Sequence, residues 1–101
     1  MQHVLELLTY RLQPGLSQTD FLTRVTACAP VIHGQPGLTK RHLACDDTGQ
    51  WTEVALWTSQ AAADAAGRVI MADPEVAPMM AAIDMASLTM RFLPILWQNP
   101  G

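Results

Sequence analysis

Residues 3–12, HVLELLTYRL, are apolar with brief polar interruptions and predict a strand, which Gln13-Pro14-Gly15 ends. The spacing then changes. Phe21, Leu22, Val25, Cys28, Ala29 and Ile32 recur close to the 3.6-residue period, and Ser17 with Asp20 forms an approximate capping box at the start of that helix. Pro30 falls inside the stripe and is expected to kink the helix or end its regular part early, before Gly34-Gln35-Pro36-Gly37 closes it. LTKRHLAC at 38–45 predicts a second strand, Asp46-Asp47-Thr48-Gly49 a hairpin turn, and WTEVALWT at 51–58 a third strand. Ser59 can cap a second helix, AAADAAGRVIMA, whose alanines favour helix. Asp73-Pro74 has the form of an N-cap and first helical residue, restarting a helix through PEVAPMMAAID with a bend at Pro78. SLTMRFL at 87–93 predicts the last strand, and a C-terminal arm follows within 93–101.

The order β-α-β-β-α-β gives an α+β fold of the ferredoxin-like type, a single domain over 1–101 with two helices on one face of a four-stranded antiparallel sheet. The third strand then poses a problem of cover. Thr52, Val54, Leu56 and Thr58 point one way, and Trp51, Glu53, Ala55 and Trp57 the other. The cleaner apolar sets, Val54/Leu56 and Leu88/Met90/Phe92, are expected under the helices. The mixed sets, Trp51/Glu53/Ala55/Trp57, Thr89/Arg91/Leu93 and Glu6/Leu8/Tyr10, are expected on the bare face. Strand 1 leaves its own facing open, since Leu5/Leu7 and Val4/Leu8 compete. A buried Trp removes roughly 150–250 Å² from water, an upper bound of about 4–6 kcal/mol. Two indoles on an open sheet therefore predict a homodimer in which a second copy covers that face, with Ile95, Leu96 and Trp97 reaching over the partner.

Composition points the same way. Half of the 101 residues are apolar and only 15% are charged, which suits a chain that hides area in an interface. A net charge of −3, with no basic cluster beyond Lys40–Arg41, argues against a nucleic-acid partner. No apolar run approaches the roughly 18 residues of a membrane span, and Glu6 and Arg11 arrive too early for a signal peptide. The expected setting is the cytoplasm of a bacterial-type cell. Cys28 and Cys45 are isolated, and His3, His33 and His42 lack a ligand spacing, so no metal site is expected. His42 beside Lys40 and Arg41 has the character of a solvated strand edge. No P-loop, G-x-S-x-G or G-x-G-x-x-G motif supports phosphate, hydrolase or dinucleotide chemistry.

QPGL at 35–38, WTEVALWTS at 51–59, the run MADPEVAPMMAAID and the closing MRFLPIL together resemble the antibiotic biosynthesis monooxygenase family. The resemblance covers nearly the whole chain. It implies a dimeric α+β barrel and one of three activities: cofactor-independent oxidation of aromatic phenols to quinones, quinol oxidation, or oxidative haem breakdown. It also implies that Trp57 lies near the pocket. Where the polyketide-oxidising members place an Asn one strand turn before that Trp, this chain has Glu53. The haem-degrading members use an Asn on strand 1 and a His on the second helix. This chain offers Glu6 or Thr9 on strand 1 and Met79 and Met80 on the helix, which disfavours haem breakdown.

The expected chemistry is oxidation of a small aromatic phenol or quinol by dioxygen, without a dedicated cofactor. Glu53 would act as general base, with Glu6 beside it, and Arg91 would stabilise the developing anion. Trp57, Trp51, Tyr10 and Met80 would contact the ring. A structural ion pair of these carboxylates with Arg91 at the dimer seam is the reading that the sequence favours over catalysis. A homodimer that binds an apolar metabolite without turnover is the rival function.

Overall fold

The computed structural model describes residues 2–100, so the arm expected over 93–101 ends at Gly101, outside the described residues. Its elements run β1 (Val4–Leu12), α1 (Gln18–His33), β2 (Leu38–Cys45), β3 (Trp51–Trp57), α2 (Gln60–Ala72), α3 (Ala77–Ala81) and β4 (Ile83–Pro94). The four strands form one antiparallel sheet in the order β2-β3-β1-β4, with β1 between β3 and β4 as the ferredoxin-like topology requires.

Local chemistry accounts for most boundaries. The Ser17 hydroxyl accepts the Asp20 N–H at 3.0 Å, and the Asp20 carboxylate accepts the Ser17 N–H at 3.3 Å, completing the capping box. Ser17→Ala removes one half of this exchange, and a loss of about 1 kcal/mol is expected in denaturant unfolding. In the β2–β3 hairpin Asp46 accepts from the Thr48 N–H, the Thr48 hydroxyl and the Gln50 N–H. Those bonds hold its carboxyl below the usual range. Gly37, at φ +92, has no room for a side chain: a Cβ there would lie 2.6 Å from the Ala62 Cβ. The loop before β2 thus packs directly on the first turn of α2.

Two helix expectations are corrected. Pro30 does not end α1, which continues regularly to His33, with the Gly34 N–H returning to the Pro30 carbonyl at 3.0 Å. The helix expected over 74–84 shrinks to the five residues of α3, and β4 begins at Ile83 rather than at 87. The end of β1 captures that segment: Leu12 pairs with Ile83, and the Gln13 N–H reaches the Ala82 carbonyl at 2.8 Å. Between its two halves β4 leaves the ladder. Arg11 pairs with Asp84 and Thr9 with Thr89, so Met85, Ala86 and Ser87 bulge outward. The Ser87 hydroxyl accepts the Arg11 N–H at 2.8 Å and so stands in for the missing ladder bond.

The core lies between the sheet and the helices in two clusters. Tyr10, Phe21, Cys28, Ile32, Trp51, Val76, Met79, Ala82 and Ile83 form one; Val4, Ala55, Trp57, Ala63 and Ala66 form the other. Phe21 of α1 sits edge-on between Tyr10 (centroids 5.9 Å apart) and Trp51 (4.9 Å). In the second cluster Ala55, Ala63 and Ala66 supply only methyl groups beside the Trp57 indole.

The expected facing of β3 is therefore reversed. Trp51, Glu53, Ala55 and Trp57 lie under the helices with Val4, Glu6, Leu8 and Tyr10 of β1, whereas Val54 and Leu56 take the bare face with Leu5 and Leu7. Two β4 sets fall as expected, Leu88/Met90/Phe92 on the helix side and Thr89/Arg91/Leu93 opposite. The aromatic contacts decide the matter, because Phe21 can reach Trp51 and Tyr10 only from the helix side. Since one chain shelters both β3 indoles, they do not themselves require a second copy.

Candidate functional site

Polar groups occupy the region between the two apolar clusters. Glu53 on β3 accepts the Tyr10 hydroxyl at 3.1 Å through Oε1 and the Arg41 Nε at 2.9 Å through Oε2. Only 4% of the Arg41 side chain and 15% of the Glu53 side chain remain exposed, so this ion pair is well screened from water. Its bonds offset a desolvation that would otherwise be prohibitive. The Arg41 Nη2 also lies 3.8 Å from the Met79 sulfur, which is itself 3.6 Å from the Cys28 thiol.

Beside this pair, Glu6 on β1 accepts the Trp57 indole N–H at 3.0 Å through Oε1. Burial pushes the Glu6 carboxyl up from its usual value, and Glu53 pushes the same way; the Trp57 N–H and Arg41 pull against them. No cation among the described residues lies within ion-pair distance of Glu6. Burial likewise raises the Tyr10 phenol, with Glu53 adding to it, so Tyr10 stays protonated and donates. The Cys28 thiol is also raised by burial, which keeps it from acting as a thiolate.

The expected residues thus divide between the two faces. Glu53, Glu6, Trp57, Trp51 and Tyr10 come together on the helix side, where Met80 packs against the larger cluster. Arg91 does not join them: it is exposed, pairs in register with Leu7, and points to the opposite face. Its place is taken by Arg41, which the sequence presented as part of a solvated edge. Alternation along β2 separates Lys40 and His42 from Arg41, Leu43 and Cys45, and that signal was readable in the sequence.

Two grooves open on the surface. One of about 280 Å³ is lined by His33, Leu38, Thr39, Lys40 and Arg41; the other, of about 480 Å³, runs along α1 past Thr19, Leu22, Thr23, Thr26 and Ala27. Neither is lined by Glu6 or Glu53. Among the described residues no three His, Cys, Asp or Glu side chains gather as metal ligands, and no helix is long and apolar enough to cross a membrane.

No family model matches the sequence, and no curated protein does. Solved structures do match in fold. A variant of SnoaB, a cofactor-independent oxygenase from Streptomyces nogalater, superimposes with a TM-score of 0.74 at 16% identity, over 100% of both chains. A putative antibiotic biosynthesis monooxygenase from Caulobacter crescentus gives 0.72 at 17% identity, over 95% of this chain and 92% of that one. Another such protein, from Chloroflexus aurantiacus, gives 0.71 at 16% identity, over 97% of each. Proteins of unknown function share the fold as well, one from Nitrosomonas europaea at 0.72 and 10% identity. The chain therefore has the fold of antibiotic biosynthesis monooxygenase-type structures, and the resemblance read from its sequence holds at the level of fold.

Proposed function

We propose that the protein is an oxygenase or oxidase that needs no dedicated cofactor and acts on a small phenol or quinol held between the sheet and the helices. One observation carries the reading: a carboxylate, Glu6, sits half-buried on an indole N–H with no cationic partner among the described residues, and Ala55 of β3 alone separates it from the buried Arg41 two strands away. The raised proton affinity of Glu6 makes it a stronger base toward a phenolic proton than an ordinary exposed carboxylate. Glu6 accepts the phenolic proton and Trp57 fixes the carboxylate and walls the ring. The Arg41 charge, held in place by Glu53 and Tyr10, favours the resulting phenolate. The phenolate passes one electron to dioxygen; superoxide and the ring radical recombine, and the adduct takes back the proton from Glu6. The resulting hydroperoxide loses water to give a quinone, whereas a quinol gives up two electrons and two protons and leaves quinone and hydrogen peroxide. The substrate supplies all of the electrons. Glu53 is thereby recast from base to positioning group, because both of its oxygens are already engaged.

The test is oxygen uptake and quinone absorbance with 1,4-naphthohydroquinone or 1-naphthol as probe. Enzyme-dependent uptake that is lost in Glu6→Gln supports the proposal, and wild type without uptake above the uncatalysed rate sinks it. One observation favours the rival, a binding protein without turnover: neither surface groove is lined by the carboxylates. Probe binding with no oxygen consumption would establish it.

The same reading includes a homodimer. Leu5, Leu7, Val54, Leu56 and Leu93 form a half-exposed apolar centre on the side of the sheet that no helix covers, with Lys40 and Arg91 toward its rims. A second copy is the occupant that a self-complementary apolar face of this size suits. Leu56→Lys places a charge at that centre, and sedimentation is expected to shift from dimer to monomer with the helices intact. An unchanged sedimentation coefficient would contradict this assembly.

A further inference from the structure

The helices do not cover the whole sheet, and where they stop bears on how a ligand reaches Glu6. In an antiparallel ladder, residues directly opposite one another point to the same face. Met90 on β4 lies opposite Leu8, and Phe92 opposite Glu6, so both stand on the helix side. Leu88, two residues before Met90, packs on the larger cluster, and Phe92, two residues after it, packs on the smaller one. Met90 lies between them and belongs to neither. It is 55% exposed although it faces the side that carries the core. β4 is moreover the edge of the sheet among the described residues.

We infer that Met90 is the threshold of the ligand site: a flat apolar ring enters over the β4 edge, slides across Met90 and Phe92, and meets Glu6 with its oxygen. This deepens the proposed function and rests on it for the chemistry, but the route of entry stands on register and exposure. The path is short. Glu6 is the helix-side neighbour of Phe92 across a single strand spacing of about 4.8 Å. From the β3 side the way is closed, since the Trp57 indole is buried and bonded to Glu6. The entrance is also chemically selective. A thioether and a phenyl ring offer polarizable, apolar surface with no hydrogen-bond donor, which favours an uncharged aromatic over an ionic or sugar-like molecule. The unbranched methionine adapts its shape to rings of different width, so Met90 is a specificity-determining residue rather than a catalytic one.

Methyl-labelled methionine reports this without requiring turnover. The described residues hold Met71, Met79, Met80, Met85 and Met90, and single Met→Leu variants assign their signals. On titration with 1-naphthol, ring currents are expected to shift the Met90 methyl most strongly. Met71 on α2 and Met85 on the β4 bulge, both exposed, serve as controls and should stay in place. Met90→Arg should weaken 1-naphthol binding at least about tenfold, while Met85→Arg leaves it unchanged. A Met90 signal that does not move, with or without binding, overturns the inference. So does a Met90→Arg protein that binds normally. If Met90 shifts and no oxygen is consumed, the entrance stands and the oxidase reading falls.

Discussion

Glu6→Gln is expected to abolish most phenol-dependent oxygen uptake, by about 10²- to 10⁴-fold, while raising thermal stability at pH 7. The two effects share one cause. Glutamine is nearly isosteric, and its carbonyl oxygen can still accept the Trp57 N–H that Glu6 accepts at 3.0 Å. What disappears is a carboxylate whose ionisation burial opposes. Because the folded-state value lies above the usual 4.5, the folded protein holds this proton more tightly than the unfolded chain does. The corresponding stability is complete below about 4.5 and is lost as pH rises through the folded-state value. As pH rises past that value the wild type loses it, and the glutamine variant has nothing to lose. Melting curves of both proteins between pH 4 and 8 should therefore run close together at the acid end and separate upward in the variant's favour. Retained oxygen uptake would remove Glu6 from the chemistry; a variant less stable at pH 7 would show that the ionised group is structurally favourable.

Phe21→Ala is expected to cost about 3–5 kcal/mol, a large part of the roughly 5–15 kcal/mol that holds a domain of this kind together. Phe21 is fully buried, edge-on to both Tyr10 and Trp51, and is what α1 contributes to the centre of the larger cluster. Removing its ring leaves a cavity bounded by two large aromatics whose own positions are fixed by the sheet, so collapse is limited. The corresponding drop in melting temperature is roughly 15–30 °C. A fall of only a few degrees by calorimetry would mean that the helix repacks freely. Since Tyr10 also donates to Glu53, the Arg41–Glu53 pair should loosen with it.

Those two side chains also mark how far the sequence could be read. Element order, the capping box at Ser17–Asp20, the β2 limits and the hairpin at Asp46–Gly49 all follow from local pattern, because each depends on residues a few positions apart. The facing of β3 did not. Trp51/Glu53/Ala55/Trp57 contains a charge and Val54/Leu56 does not, and local pattern alone assigns the charged set to the outside. The chain inverts this because Arg41, on the neighbouring strand, and Tyr10, 43 residues away, satisfy both carboxylate oxygens of Glu53. Such a partnership appears only when three strands are in register. The same gap parted Arg91 from the carboxylates, since it takes the bare face opposite Leu7 as expected while Glu53 and Glu6 do not, and it overlooked Arg41. It also misjudged Pro30, which α1 carries without ending.

The bulge at Met85–Ser87 governs which edits β4 can survive. Five steps along β4 from Asp84 to Thr89 match two along β1, so the bulge holds an odd number of surplus residues. Excising all three would join the halves in phase. Deleting one residue and drawing the strand straight would keep Met90 and Phe92 under the helices but slide them two places along β1, setting Met90 opposite Glu6; deleting two would turn them to the far side of the sheet and bring Thr89 and Arg91 beneath the helices. Natural length variation at this point should therefore avoid losses of two residues, and a deletion library should be depleted here of two-codon deletions more than of three-codon ones.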